Sequence, residues 1–152
     1  SLAFENVAIA PVSGERIFYY LEETTEALPK WYDQLGSFSL ETILKHEAQI
    51  PRLRERIKTV QVRCSTLDEI CHKHGICNLD LVHIDTEGFD YEVLRLIDFE
   101  GLRPAVVLFE HKHLSDTDKS AALKLLVTNK YVHSSIGSDI LGVREEADLA
   151  ED

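Results

Sequence analysis

The stretch Leu79-Asp-Leu-Val-His-Ile-Asp-Thr-Glu-Gly-Phe-Asp-Tyr-Glu-Val-Leu94 decides the fold. Its first six residues are mostly apolar, the composition of a central parallel strand covered on both faces. Asp85-Thr-Glu-Gly88 ends that run, and from Phe89 the apolar positions change period: Phe89, Val93, Leu96 and Ile97 recur at helical spacing. The chain therefore turns from strand into helix within four residues, two of them acidic. Parallel strands cannot be joined by a tight hairpin and need a crossover, so a strand that runs straight into a helix predicts an α/β fold with a parallel sheet.

Downstream, Pro104 introduces a second apolar strand, Ala105 to Phe109, and Glu110-His-Lys-His113 follows it. Ser115 and Asp118 then stand at capping-box spacing ahead of Ala121, Ala122, Leu125 and Leu126, the buried side of a second helix. Tyr131 to Ile136 and Ile140 to Arg144 flank Gly137-Ser-Asp139, which predicts a closing antiparallel hairpin at the edge of the sheet.

Upstream, Thr59 to Cys64 alternates Val60, Val62 and Cys64 with polar neighbours, the period of a half-exposed strand near a sheet edge. Ser65 precedes Asp68 at capping-box spacing, and Leu67, Ile70 and Cys71 form the apolar stripe of a short helix that stops at Gly75. At the start of the chain, Phe4 to Ala10 reads as a short buried strand, Pro11 to Gly14 as a turn and Arg16 to Leu21 as a second strand. Residues 22–58 differ: charge is dense, Pro29 and Pro51 interrupt, and only Leu40, Ile43 and Leu44 suggest a helical face. They read as an insertion or lid within a single domain spanning residues 1–152.

With 152 residues, 44% of them hydrophobic, the chain can bury one sizeable core. Its 27 acidic and 16 basic residues give a formal charge of -11, which repels phosphate backbones and anionic lipid head groups and argues against nucleic acid or a membrane surface as partner. No apolar run approaches the ~20 residues that span a bilayer, and no signal region opens the sequence, so a cytoplasmic protein is expected. Cys64, Cys71 and Cys77 lack the paired Cys-x-x-Cys hooks of a zinc site and read as reduced, structural cysteines.

Ligands of open α/β sheets bind at the carboxyl ends of the strands, where loops and helix starts converge. Two polar clusters fall there. Asp85, Glu87 and Asp90 follow one strand; Glu110, His111 and His113 follow the next. Adjacent strands place both groups on one rim, with carboxylates suited to base or hydroxyl-orienting work and histidines to proton transfer. Two plainer readings stand beside this one. Asp85 or Glu87 can serve the N-terminus of the helix that begins near Phe89. A cation held by His111 and His113 with Glu110 or Asp85, or by Asp85 with Glu110 or His111, is a further alternative, although no metal is assigned from the sequence. His72 and His74 lie on an amphipathic helix and read as a solvated face, while Tyr19, Tyr20, Trp31 and Tyr32 are taken as core or docking aromatics rather than as a pocket.

The run Leu81 to Leu94 resembles the KIDVEG…VL signature of FkbM-family methyltransferases, with His83 where the family often has Lys and Asp90 where it often has Glu. Its surroundings agree in order: Asn6-Val-Ala-Ile9 with Ser13-Gly14, Thr66-Leu-Asp68, and a strand that ends in Glu110. The resemblance implies a Rossmann-like class I methyltransferase sheet, mostly parallel with a C-terminal antiparallel hairpin. It also implies methyl transfer from S-adenosylmethionine to a hydroxyl of a small-molecule or glycan acceptor. On that basis Asp85 and Glu87 would organise the acceptor, with Glu110 or His111 assisting proton removal. The family's glycine-rich cofactor loop belongs to the first strands, and no such run is present here, since the glycines at 14, 36, 75, 88, 101, 137 and 142 are scattered. The chain therefore reads as the C-terminal part of the domain, with its first strands missing and with weak or no cofactor binding of its own. The alternative is a non-catalytic α/β binding or oligomerisation module; in either case a sheet without its first strands exposes an edge, an expected route to a homodimer.

Overall fold

The computed structural model describes residues 2–145 and forms two compact units, one holding the chain up to Ala8 and from Val12 to Ser65, the other Ile9–Pro11 and everything from Thr66. The protein is a mixed α/β fold with two four-stranded sheets.

Strand β1 (Ala8–Ile9), strand β2 (Gly14–Leu21), strand β3 (Gly36–Ser37) and strand β4 (Ile57–Ser65) form a sheet of order β1-β4-β2-β3. β2 and β4 pair antiparallel along their length, from Gly14 opposite Cys64 to Leu21 opposite Ile57. Two sequence expectations change here. The opening strand is only two residues long and Phe4 is 85% exposed, because the residues before Ala8 make no ladder. β4 lies inside the sheet between β1 and β2 rather than at its edge, and its outer half still alternates as a half-exposed strand would.

Residues 22–58 carry their own small core. Helices α1 (Leu40–Leu44) and α2 (Leu53–Arg56) contribute Ile43 and Leu53, which pack with Leu21, Tyr32 and Ile50. The Tyr32 hydroxyl donates to the Glu22 carbonyl at 2.9 Å, so its ring packs without stranding a polar group. The dense charge has partners as well: Arg56, only 3% exposed, pairs with Glu26 at 2.6 Å and donates to the Pro51 carbonyl. Trp31 stacks on His46 with ring centroids 5.0 Å apart.

In the second unit, helix α3 (Leu67–His74) precedes strand β5 (Leu81–Ile84), and helix α4 (Asp90–Leu94) leads to strand β6 (Val106–Glu110). Helix α5 (Asp116–Thr128), strand β7 (Tyr131–Ile136) and strand β8 (Asp139–Arg144) complete it. α3 is capped by Thr66, one residue later than the capping box expected at Ser65; the Thr66 side chain accepts from Glu69 N–H, which places Glu rather than Asp at the third helical position. Its other end closes on Gly75 in a left-handed conformation, φ 65°, with the amides of Gly75 and Ile76 bonded back to His72 and Cys71. α5 begins at the expected Ser115, whose hydroxyl accepts from Asp118 N–H and donates to its carboxylate at 2.7 Å.

The second sheet has the order β5-β6-β8-β7. β5 and β6 are parallel, β8 is antiparallel to β6, and β7 is antiparallel to β8, so β5, β6 and β7 point one way with β8 reversed among them. The hairpin is present as expected, turning at Gly137 with φ 64°, but its second strand lies inside the sheet and its first forms the edge. β5 is the opposite edge instead of a central strand, and Leu81 is 54% exposed. Leu81 and His83 face solvent while Val82 and Ile84 are covered, so the apolar run is packed on one face only. That face packs Ile84, Val107, Phe109, Ile140 and Tyr131 against Leu94 and Ile97 and against Ala122 and Leu126 of α5. A Cβ on Gly142 would stand 3.1 Å from Leu126, so glycine sets how closely the helix approaches the sheet.

Candidate functional site

β5 and β6 are parallel neighbours, so the two polar clusters that follow them share one rim, as expected. The turn after β5 is built around Asp90. Its side chain is fully buried, and its carboxylate accepts from Gly88 N–H at 3.1 Å and from Thr86 N–H at 3.4 Å. Two amides that point at one carboxylate offset its desolvation and fix the path of the turn. The backbone is forced there: Glu87 has φ 50° and Gly88 φ 101°, conformations that side-chain-bearing residues rarely adopt. Glycine is needed at 88 for a second reason, because a Cβ would come within 3.2 Å of His113 Cβ.

The anchoring role that the sequence offered to Asp85 or Glu87 thus falls to Asp90, and α4 starts at Phe89 with no side-chain cap. Asp85 lies exposed at the end of β5 and forms no hydrogen bond or ion pair with another described residue. Glu87 is turned toward the next loop, with Oε2 3.5 Å from His113 Nε2.

Glu110 ends β6 with its side chain 17% exposed. Its Oε2 is shielded from solvent and accepts no hydrogen bond from the described residues; His113 Nε2 lies 3.7 Å from it. His111 faces elsewhere. Its amide donates to the Ser138 carbonyl at 2.8 Å, and its Nδ1 lies 3.1 Å from Lys119 Nζ. An ammonium only donates, so in that contact Nδ1 accepts and the ring proton sits on Nε2, a buried nitrogen without a partner. His111 therefore presents a donor.

Of the sequence candidates, Glu87 and Glu110 come together, while Asp85 stands apart in solvent and His111 joins α5 instead. His113, named in the sequence as a member of the second cluster and as a possible cation ligand, completes the group; one ligand atom each of Glu87, Glu110 and His113 lies within 4.8 Å of the others. A signal for it was present, since His113 follows Glu110 by three residues in a tight turn. Asp90 was visible as a third acid but not as the buried one, because nothing local distinguishes an acid that faces its own turn from one that faces solvent.

Elsewhere, the first unit carries an open apolar groove of about 240 Å³ lined by Asn6, Val7, Ala8, Phe18, Phe38 and Val62, none of which titrates. His72 and His74 are exposed on α3, as expected of a solvated face. All three cysteines are free, Cys64 and Cys71 buried and Cys77 exposed. No helix among the described residues is long and apolar enough to cross a membrane.

No curated protein and no solved structure shows significant similarity to the chain. A model of the methyltransferase FkbM domain matches residues 2–135, which include the whole β5–β6 rim, and the chain accordingly belongs to the FkbM methyltransferase family.

Proposed function

We propose that the β5–β6 rim is the acceptor side of an S-adenosylmethionine-dependent O-methyltransferase acting on a small-molecule or glycan hydroxyl. The observation that carries this is Glu110: a carboxylate oxygen sheltered from solvent, unpartnered, at the carboxyl end of a parallel strand. Such an oxygen accepts the hydrogen bond of an incoming hydroxyl and takes its proton as the oxygen becomes bonded to carbon. Glu87 stands beside it and orients a neighbouring hydroxyl of the acceptor, while Asp85, exposed at the end of β5, is left for a more distant one. His111, with Nδ1 engaged by Lys119, is not assigned the base.

The residues present do not fit the cofactor. The glycines with positive φ are each used otherwise: Gly14 opens β2, Gly75 caps α3, Gly88 packs on His113 and Gly137 turns the hairpin. Among the described residues no glycine-rich strand-to-helix turn is available to cradle a nucleoside, and no step is assigned to the donor here. The same observation favours the second reading, a non-catalytic α/β module. A Rossmann-like class I arrangement is supported by the common direction of β5, β6 and β7, and a cytoplasmic setting by three free cysteines.

The test is Glu110→Gln in the protein as its gene encodes it, assayed for methyl transfer. Loss of the base lowers kcat by roughly 100-fold or more. Unchanged turnover removes Glu110 from the mechanism, and no transfer to any hydroxyl acceptor by the unsubstituted protein favours the module.

A further inference from the structure

Three side chains from two loops converge where β5 and β6 end. Nε2 of His113 stands 3.5 Å from Glu87 Oε2 and 3.7 Å from Glu110 Oε2. A charge-assisted hydrogen bond would close to about 2.7–2.9 Å, so neither contact is one. Ligands held about 2.0–2.2 Å from a tetrahedral cation stand roughly 3.4 Å apart, and both distances are near that value. We propose that Glu87, Glu110 and His113 form a binding site for a first-row divalent metal cation.

Glu110 supplies an independent reason. Its Oε2 is out of reach of solvent and accepts no hydrogen bond from the described residues, and a buried carboxylate oxygen in that state is unfavourable until something positive meets it. His113 at 3.7 Å is too distant to do so by hydrogen bonding. The donor set selects the ion. Two carboxylates with an imidazole suit zinc, manganese or ferrous iron, whereas calcium and magnesium prefer oxygen alone. Three protein ligands leave further positions open to water or to a substrate oxygen.

The site is also held in place. Asp90 grips the amides on either side of Glu87, and the missing Cβ of Gly88 lets His113 pack against that turn. A cation here would meet the acceptor hydroxyl beside Glu110; that consequence rests on the acceptor-side reading, whereas the cation site itself does not.

The experiment is a titration of the purified chain with Zn²⁺, read by calorimetry and by competition with a chromophoric chelator. One equivalent is expected to bind with micromolar or tighter affinity. His113→Ala, at a side chain 44% exposed and so tolerant of truncation, and Glu110→Gln each weaken that binding by at least the roughly 10–100-fold that losing even a supporting contact costs a metal site. His72→Ala, on the exposed face of α3, leaves it unchanged. Circular dichroism checks that the variants fold, and a misfolded Glu110→Gln leaves His113→Ala to decide. Absence of binding by the unsubstituted chain overturns the proposal, as does equal affinity in His113→Ala or a loss as large in His72→Ala. Intact zinc binding with no methyl transfer by the natural protein would instead sink the acceptor-side reading and leave the cation site standing.

Discussion

Asp90 is the residue on which the rim depends most, although its carboxylate hydrogen-bonds to neither Glu110 nor His113. Fully buried, it is bonded only to the turn that carries Glu87. Asp90→Ala leaves two amides facing a cavity, and its expected cost is about 2–5 kcal/mol, from the desolvation of two unsatisfied donors. Urea denaturation checks this; a loss below ~1 kcal/mol would mean that the turn finds other acceptors. Asp90→Asn keeps one acceptor and is expected to fall between. The cysteines make a second case. Burial, and after it the negative charge of Asp68, pushes the Cys71 thiol above its ordinary range, which lowers its thiolate fraction at neutral pH. Cys77 is exposed. Alkylation of the native protein, mapped by mass spectrometry, is expected at Cys77 first, with Cys64 and Cys71 modified only on unfolding. Early labelling of Cys71 would contradict its burial.

The strand-turn-helix from Leu79 to Leu94 and the capped α5 were legible because their signals are local: a run of apolar residues, a change of period, a serine with an acid three residues on. Neighbour relations were not. That β5 is an edge, that β4 is interior and that β8 inserts beside β6 are decisions of pairing between distant segments, and alternation within a strand does not report them. Within residues 22–58 the helical face at Leu40, Ile43 and Leu44 marked α1, whereas four-residue α2 shows too few periods to register and the core of the segment draws single residues from each turn. β7 carries a test of the second core. Tyr131 at its start is buried, stacks edge-on with Phe99 at 5.5 Å and donates its hydroxyl to the Pro104 carbonyl. Burial raises its pKa above the ordinary tyrosine value of 10.0, with Arg144 opposing in part. The folded state thus holds the phenolic proton more tightly than the unfolded chain. The resulting stability is complete below pH 10.0 and is lost as pH rises through the folded-state value. Thermal melts between neutral and strongly alkaline pH are expected to show a fall that Tyr131→Phe lacks; parallel curves for the two proteins would refute the linkage.

At the scale of the whole molecule, the FkbM match spans residues 2–135, yet the described residues hold no glycine-rich donor cradle beside the rim proposed to meet the acceptor. The rim is acidic, with Asp85, Glu87, Asp90 and Glu110 together at the ends of two strands, in a chain whose formal charge is -11. Two helix N-termini are already engaged by their own caps: α3 by Thr66 and α5 by Ser115. Methyl transfer is chiefly a matter of alignment, in which a donor fixed within a few tenths of an ångström of its line of attack is worth far more than any base. A chain that orients the acceptor and leaves the donor free would gain none of that advantage. Calorimetry of this chain with S-adenosylmethionine is therefore expected to show binding weaker than micromolar, with no change on Glu110→Gln because Glu110 belongs to the other partner of the reaction. Stoichiometric micromolar binding would mean that the cradle is assembled from residues without the glycine-rich pattern, and the division of this rim into an acceptor side alone would have to be abandoned.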